Sequence, residues 1–175
     1  GCYGQKQIKS PNIDHWAAQS VLFNRAYCNI AVSGASRASL LTGLRPTKNL
    51  LQAWNTRTDV DVPDAVTIQK CFRDAGYITI ANGKIYHHQD EASMKSEENL
   101  ALMQKQKETG KGRRGYFYEH GDFPEKDYLD WQIADKSIQD LKKMKKQEKP
   151  FFLAVGFIRP HLPFVVPQKY WDLYD

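Results

Sequence analysis

Ser33 and Arg37 are the first residues whose types and spacing could carry chemistry. They begin and end the segment SGASR at 33–37, which is followed by LTG at 41–43. If a helix starts at Ser33, its backbone N–H groups and dipole favour an anion there. Arg37 then shares a face with Ser33, and its guanidinium can bind two oxygens of a tetrahedral oxyanion. This arrangement suits sulfuryl or phosphoryl transfer. On spacing alone, a helix-capping serine followed by a surface arginine explains the residues better.

Lys84 and His87 form a second group, in the segment GKIYHH at 83–88. The segment directly follows a predicted strand at 77–81. In open α/β sheets, ligands bind beyond the carboxyl ends of the strands, which both side chains could reach. Without other support, a polar loop after a strand is the simpler interpretation.

His161 is the third candidate, in the segment FIRPHLPF at 157–164. It lies between two prolines, after an apolar run at 151–157. Prolines stiffen the chain, and stiffness keeps a catalytic group in place. A lone histidine is nevertheless more often structural.

The elements that must position these residues can be predicted from apolar periodicity and breaker residues. Ser10 and Pro11 indicate the start of a helix, and 21–27 is apolar enough for a short strand. We expect a helix over 33–44 with Leu40 and Leu41 facing inward. Further helices are predicted over 67–75, stopped by Gly76, and over 128–147.

The remaining segments define the fold class. The run at 151–157 is typical of a strand buried on both faces. Residues 88–126 are polar and rich in glycine, and we expect a long excursion of loop with some helix. Because helices alternate with apolar strands, the sequence predicts an α/β fold with a mostly parallel sheet flanked by helices.

Composition sets the wider limits. The chain has 175 residues, which suits one domain, with 41% hydrophobic residues and a net charge of +5. The positive charge favours an anionic substrate or nucleic acid, although four lysines at 142–146 are explained by a solvated helix face. No apolar run is long enough for a membrane span, and the first residues do not resemble a signal peptide.

Three segments in order resemble type I sulfatases of the alkaline-phosphatase-like superfamily, and most closely their iduronate-2-sulfatase branch. The sequence GCYG at 1–4, then SPNID at 10–14, is similar to the segment just after that family's first metal-binding strand. The sequence AVSGASR at 31–37, through LTG at 41–43, resembles the signature Cys/Ser-x-Pro/Ala-Ser-Arg ending in Thr-Gly. The sequence FFLAVGF at 151–157, then RPH, is similar to a later strand and its active-site histidine. Only 88–126 has no counterpart.

The resemblance implies a role for each candidate. Ser33 takes the position of the residue that is oxidised to formylglycine, which is the catalytic nucleophile and a ligand of one Ca²⁺ ion. Arg37 would stabilise the formylglycine, and Lys84 would bind sulfate oxygens. His87 would orient the hydrated aldehyde, and His161 would act near the leaving oxygen as sulfate ligand or proton donor.

Some residues depart from the family pattern. Ala35 replaces the commoner proline, and Leu44 stands where many sulfatases carry arginine or lysine. His88 is one position beyond the family's Lys-x-x-His spacing and is the second choice after His87. Ser33 fits a natural serine-type enzyme, and an engineered replacement of cysteine is the alternative.

The resemblance also implies that the chain is an incomplete catalytic domain. The family's paired aspartates precede the segment at 1–4, and its later Asp-Asn pair and second lysine come after the histidine segment. Ca²⁺ needs 6–8 oxygen ligands. We therefore expect residues 1–175 to form a partial catalytic domain with an incomplete sheet and a variable excursion at 88–126. Alone, this chain should bind Ca²⁺ weakly and lack sulfatase activity.

For the full-length protein, the resemblance implies hydrolysis of a sulfated carbohydrate, with 2-O-sulfated uronic acid of a glycosaminoglycan as the substrate. A formylglycine-forming maturase would be a partner, and neither nucleic acid nor a membrane span is expected. The location would be periplasmic or secreted. Two alternatives stay open: a phosphoester or phosphonate hydrolase that uses unmodified Ser33, and an inactive glycan-binding protein.

Overall fold

The computed structural model describes residues 1–88, 118–121 and 123–174. The first half contains four helices and a strand: α1 (Pro11–Ala17), α2 (Ser33–Thr42), α3 (Thr58–Asp61), α4 (Ile68–Asp74) and β1 (Ile78–Gly83). The described part of the second half contains a short 3-10 helix at Glu125–Asp127 and five further elements: β2 (Tyr118–Gly121), α5 (Leu129–Met144), β3 (Phe151–Gly156), β4 (Phe164–Pro167) and α6 (Gln168–Trp171).

Two parallel strand pairs organise the described chain. Strand β1 pairs with β3 in a register that runs from Ile78 opposite Phe151 to Gly83 opposite Gly156. Strand β2 pairs in parallel with β4. Because both members of a parallel pair end at the same edge, the segments that come after β1 and β3 leave the sheet side by side.

Helices cover both faces of the β1–β3 pair. Phe72 of α4 stacks on Phe152, with ring centroids 4.5 Å apart. On β1, the side chain of Asn82 bonds to α5. Successive side chains of a strand point to opposite faces, and the register places Asn82 and Phe152 on different ones. The predicted α/β class, with a parallel sheet flanked by helices, is confirmed.

The four helices predicted outside 88–126 are present, with shorter bounds at several ends. Gly43 comes directly after α2, and Gly76 comes two residues after the end of α4. Both adopt positive φ angles, of 74° and 87°. One prediction for α2 was wrong: Leu41 is buried as expected, but Leu40 is 76% exposed. The small side chains Ala35 and Ala38 form the inward face of α2 instead, packed with Leu51 and Val62.

Two strand predictions need correction. Residues 21–27 do not form a strand, and Phe23 and Tyr27 are 67% and 85% exposed. A strand is stable only when a neighbour pairs its backbone groups, and 21–27 has no such neighbour among the described residues. Strand β3 exists as predicted but is not buried on both faces, since Phe151 and Val155 are each more than a third exposed.

The predicted excursion at 88–126 lies largely outside the described residues. In its described part, 118–121 is a strand, which the prediction of loop with some helix did not include, and a 3-10 helix begins at Glu125. None of the helices in the described ranges has the length and apolar character that crossing a membrane requires.

Candidate active site

Ser33 is the first residue of α2 and is exposed. Val32 before it has extended backbone angles, and its carbonyl accepts the first bond of the helix from the N–H of Ser36 at 2.9 Å. Arg37, one turn along, donates from Nε to Ser33 Oγ at 3.3 Å. The structure therefore places both residues on one face at a helix N-terminus, where an anion is favoured.

Arg37 also ties α2 to the segment after β1. Its Nη1 donates to the carbonyl oxygens of Lys84 and Ile85, at 2.9 Å and 2.8 Å. Burial of the half-buried guanidinium lowers the pKa of Arg37. An arginine nevertheless stays charged near neutral pH, so this group is a fixed cation beside Ser33.

His87 completes the surroundings of the serine. Its Nδ1 lies 3.2 Å from Ser33 Oγ. If Nδ1 carries a proton it donates to the hydroxyl, and if it does not the hydroxyl donates to it. The ammonium group of Lys84 donates to the carbonyl of His87 at 2.7 Å, which holds this cation in the same turn. Four of the five candidate residues (Ser33, Arg37, Lys84 and His87) are thus brought together.

Two facing glycines fix where this turn leaves the sheet. Gly83 has φ of 76°, and the N–H of Lys84 donates to the carbonyl of Gly156 at 2.7 Å. A Cβ atom at Gly156 would collide with the carbonyl of Lys84. The close main-chain contact at the ends of β1 and β3 is therefore possible only without side chains there, and it sets the position of Lys84.

Trp54 borders the site, although the sequence patterns did not identify it. A Cβ atom at Gly34 would collide with the Trp54 carbonyl, so this main chain lies directly against α2. The indole meets the ring of His87 edge to face, with centroids 6.2 Å apart. His88 points to the same loop, with Nε2 3.1 Å from the carbonyl oxygen of Asn55. The one available signal was an aromatic residue in a polar stretch.

His161 lies in a separate group of contacts. Its Nδ1 is 2.8 Å from the carbonyl of Leu162, and its own carbonyl accepts from Arg159 Nη1 at 2.8 Å. In the part of the chain that the structure describes, no hydrogen bond joins His161 to Ser33 or to its neighbours. His161 comes after β3, and Lys84 and His87 come after β1, so the two groups follow adjacent strands.

Asp130 of α5 holds the segment that carries His161. Its two carboxylate oxygens accept from the N–H groups of Ile158 and Arg159, at 2.8 Å and 3.0 Å. Burial lowers the pKa of Arg159, and the charge of Asp130 acts in the opposite direction. A cavity of about 490 Å³ lies beside this segment and is lined in part by Asp130, Arg159 and Pro160, but not by Ser33.

A buried polar cluster anchors the end of β1 on α5. Asn82 Nδ2 donates to Ser137 Oγ at 3.2 Å and to Asp140 Oδ2 at 2.9 Å. Lys136 Nζ donates to the other oxygen of Asp140 at 2.6 Å. Asn82, Ser137 and Asp140 are each at most 7% exposed. Since Asn82 lies two positions before Lys84, this cluster fixes the base of the turn.

The described surroundings of Ser33 offer hydrogen-bond donors and positive charge for an anion, and by themselves they do not supply the ligands of a metal cation. Arg37, Lys84 and His87 supply hydrogen-bond donors and positive charge, which attract sulfate or phosphate. Over residues 1–88, 118–121 and 123–174, no group of three or more His, Cys, Asp or Glu side chains could hold a metal ion. Ca²⁺ requires 6–8 oxygen ligands, so the described residues alone do not make its site.

The fold has a counterpart among solved structures. The chain resembles the crystal structure of a phosphonate monoester hydrolase of Agrobacterium radiobacter, with a TM-score of 0.66 and 20% sequence identity over 98% of this chain and 40% of that one. At this identity, the likeness shows the shared fold alone.

Closer relatives are sulfatases. The chain is 36% identical over 191 residues to the iduronate 2-sulfatases of Mus musculus and Homo sapiens, covering 99% of this chain and 35% of each relative. It is 33% identical to a sulfatase of Formosa agariphila, covering 95% of this chain and 37% of that protein. The chain spans about a third of the length of these curated relatives. The sequence model of the sulfatase family matches residues 1–175. The chain therefore belongs to the sulfatase family.

Proposed function

We propose that this protein hydrolyses sulfate esters and that Ser33 is the residue converted to formylglycine. The observation that carries the proposal is the position of Ser33 Oγ between Arg37 Nε and His87 Nδ1, with the ammonium group of Lys84 held in the same turn. Family membership supports the reaction class. The whole protein, rather than this part of it, would carry the activity.

The residues around Ser33 suit the charge changes of sulfuryl transfer. Arg37 would stabilise the formylglycine and the charge beside it, and Lys84 would bind the sulfate oxygens during the reaction. His87 would hold or accept a proton at Nδ1, next to the position of the serine oxygen. Hydrated by one water molecule, the formylglycine aldehyde would carry two hydroxyl groups on one carbon. One hydroxyl would attack sulfur while the substrate alcohol leaves, and the bound sulfate would be expelled when the other hydroxyl loses its proton, which restores the aldehyde.

His161 would give a proton to the leaving alcohol of the substrate. This role requires the segment after β3 to present the imidazole to the substrate held at Ser33. The parallel register supports it, because both segments leave the same edge of the sheet. Asp130 supports it as well, since its carboxylate holds the backbone just before His161.

The substrate we propose is a sulfated carbohydrate, specifically a 2-O-sulfated uronic acid of a glycosaminoglycan. Its support is the similarity to proteins named iduronate 2-sulfatase. This proposal includes a formylglycine-forming maturase as a partner and a periplasmic or secreted location. It also includes one Ca²⁺ ion, whose acidic ligands would have to come from outside the described residues.

Mass analysis of Ser33 tests the proposal directly. The full-length protein is expressed with a maturase, and the tryptic peptide 26–37 is measured. Conversion of serine to formylglycine removes two hydrogens, so the peptide should lose about 2 Da. The same preparation should release sulfate from a disaccharide with a 2-O-sulfated uronic acid. An unmodified peptide together with turnover of a phosphate or phosphonate ester would overturn the proposal in favour of phosphoester chemistry. An unmodified peptide without turnover would point to an inactive glycan-binding protein.

A further inference from the structure

Trp54 presents a large apolar ring at the edge of the Ser33 site. The residue is 67% exposed, although its ring contacts that of His87 at a centroid distance of 6.2 Å and an interplanar angle of 75°. His87 in turn contacts Ser33 Oγ. The exposed indole is therefore one ring away from the group that we propose to react.

The main chain around Trp54 is held firmly while the ring stays open. Its carbonyl packs against Gly34 of α2, where no Cβ could fit. On either side of it, Ala53 N–H donates to Thr56 Oγ1 at 3.2 Å, and the Asn55 carbonyl lies 3.1 Å from His88 Nε2. A rigid aromatic ring provides contact area at a low cost in conformational entropy. This combination is typical of a recognition residue.

The neighbouring charges indicate what kind of molecule would contact the ring. Arg37 and Lys84 favour an anionic group, whereas the indole favours an apolar surface of matching flatness. A sulfated pyranose has both features, because one face of the sugar ring carries mainly C–H groups. A simple sulfate ion has the negative charge but no apolar face.

We propose that Trp54 is a specificity residue that stacks against the sugar ring of the substrate, while the sulfate group lies at Arg37 and Lys84. This inference rests on the proposed function and deepens it, since it assigns a residue to the carbohydrate part of the substrate. Trp54 takes no part in bond breaking and acts on affinity alone.

Calorimetry on the full-length protein tests the assignment without turnover. The protein is prepared without maturase, so Ser33 stays unmodified, and is titrated with a heparin-derived disaccharide whose uronic acid carries a 2-O-sulfate. Aromatic contacts contribute about 0.5–1.5 kcal/mol, so Trp54→Ala should weaken binding by up to about tenfold. By the same scale, Trp54→Phe should stay within about threefold of the original affinity. The control Trp16→Ala, at a position 77% exposed in α1, should leave the affinity for the disaccharide unchanged.

Inorganic sulfate separates a sugar contact from a general disturbance. Its affinity should be the same in the original protein and in both Trp54 variants. Unchanged disaccharide affinity in Trp54→Ala, with a lower melting temperature, would show that the ring packs against another part of the protein and would overturn the inference. Absence of disaccharide binding in the original protein would overturn it too. The proposed function fails by a different result, namely no formylglycine and no sulfate release after maturation.

Discussion

The Nδ1 atom of His87 lies 3.2 Å from Oγ of Ser33, although 54 positions separate the two residues in the chain. The histidine reaches the serine because β1 ends at Gly83 and the next residues turn towards the N-terminus of α2. Arg37 closes the arrangement from the helix side with its contact to the same oxygen. The site is thus a junction of one helix terminus and one strand terminus.

Removal of the serine hydroxyl should abolish activity without unfolding the protein. Ser33 is exposed, so Ser33→Ala should change the free energy of unfolding by less than about 1 kcal/mol. Sulfate release by the matured full-length protein should fall by at least about a thousandfold, because the nucleophile cannot form. Ser20→Ala, at an exposed position outside the 33–43 segment, is the control and should keep most of the activity. Comparable activity in the two variants would remove Ser33 from the mechanism.

Arg37 should contribute to the stability of the protein. Hydrogen bonds to charged groups contribute about 1.5–3 kcal/mol, and Arg37→Ala leaves the carbonyls of Lys84 and Ile85 without this donor. We expect Arg37→Ala to lower the free energy of unfolding by that amount, as measured by chemical denaturation. Arg37→Lys keeps the charge but cannot reproduce the planar fork, so it should restore only part of the stability. Arg25→Ala, at an exposed position, should have no effect beyond about 0.5 kcal/mol. Equal stability of Arg37→Ala and Arg25→Ala would contradict the role of these contacts.

The buried bond between Asn82 and Asp140 should show energetic coupling. Each single change to alanine should destabilise the protein by about 1–3 kcal/mol, because it leaves a buried polar partner unsatisfied. A double-mutant cycle from urea denaturation should give a coupling energy of about 0.5–3 kcal/mol. A pair of Asn82→Ala with Asp74→Ala, on the exposed side of α4, serves as the uncoupled reference. Strict additivity for Asn82 and Asp140 would be the contrary result.

Asp130 should act as a positioning residue for the His161 segment. Asp130→Ala leaves the N–H groups of Ile158 and Arg159 without their acceptor, so stability should fall by about 1–3 kcal/mol. If His161 works on the substrate, kcat should also fall while KM changes little. Asp135→Ala in the same helix loses only a surface contact with Gln139 and should cost less than about 0.5 kcal/mol. A normal kcat in Asp130→Ala would separate Asp130 from catalysis.

Sequence patterns predicted the parts of the fold that are governed by local rules. The start of α1 at Pro11, the end of α4 before Gly76 and the pairing class of β3 agree with backbone preferences and apolar runs. The strand expected at 21–27 failed because strand formation depends on a neighbour that no local pattern reveals. Leu40 was misassigned for a related reason, since the side of α2 that is buried depends on the approach of Leu51 and Val62.

The site was predictable where spacing carried the information and not where a distant contact did. Ser33 and Arg37 are four residues apart, and Lys84 and His87 are three apart, so each pair could be recognised in the sequence. The position of Trp54 against Gly34 depends on a main-chain contact between segments 20 residues apart, and small size at Gly34 alone does not specify it. The roles of all five candidate residues, including His161, remain predictions.

Arg37 recognises the path of the main chain rather than a particular neighbour, because both of its acceptors after β1 are carbonyl oxygens. Every amino acid offers such an oxygen. Replacement of the isoleucine at position 85 would therefore leave this clamp in place as long as the turn kept its course. Amino-acid substitutions at position 85 can thus be tolerated while the spacing of the positive groups around Ser33 stays constant.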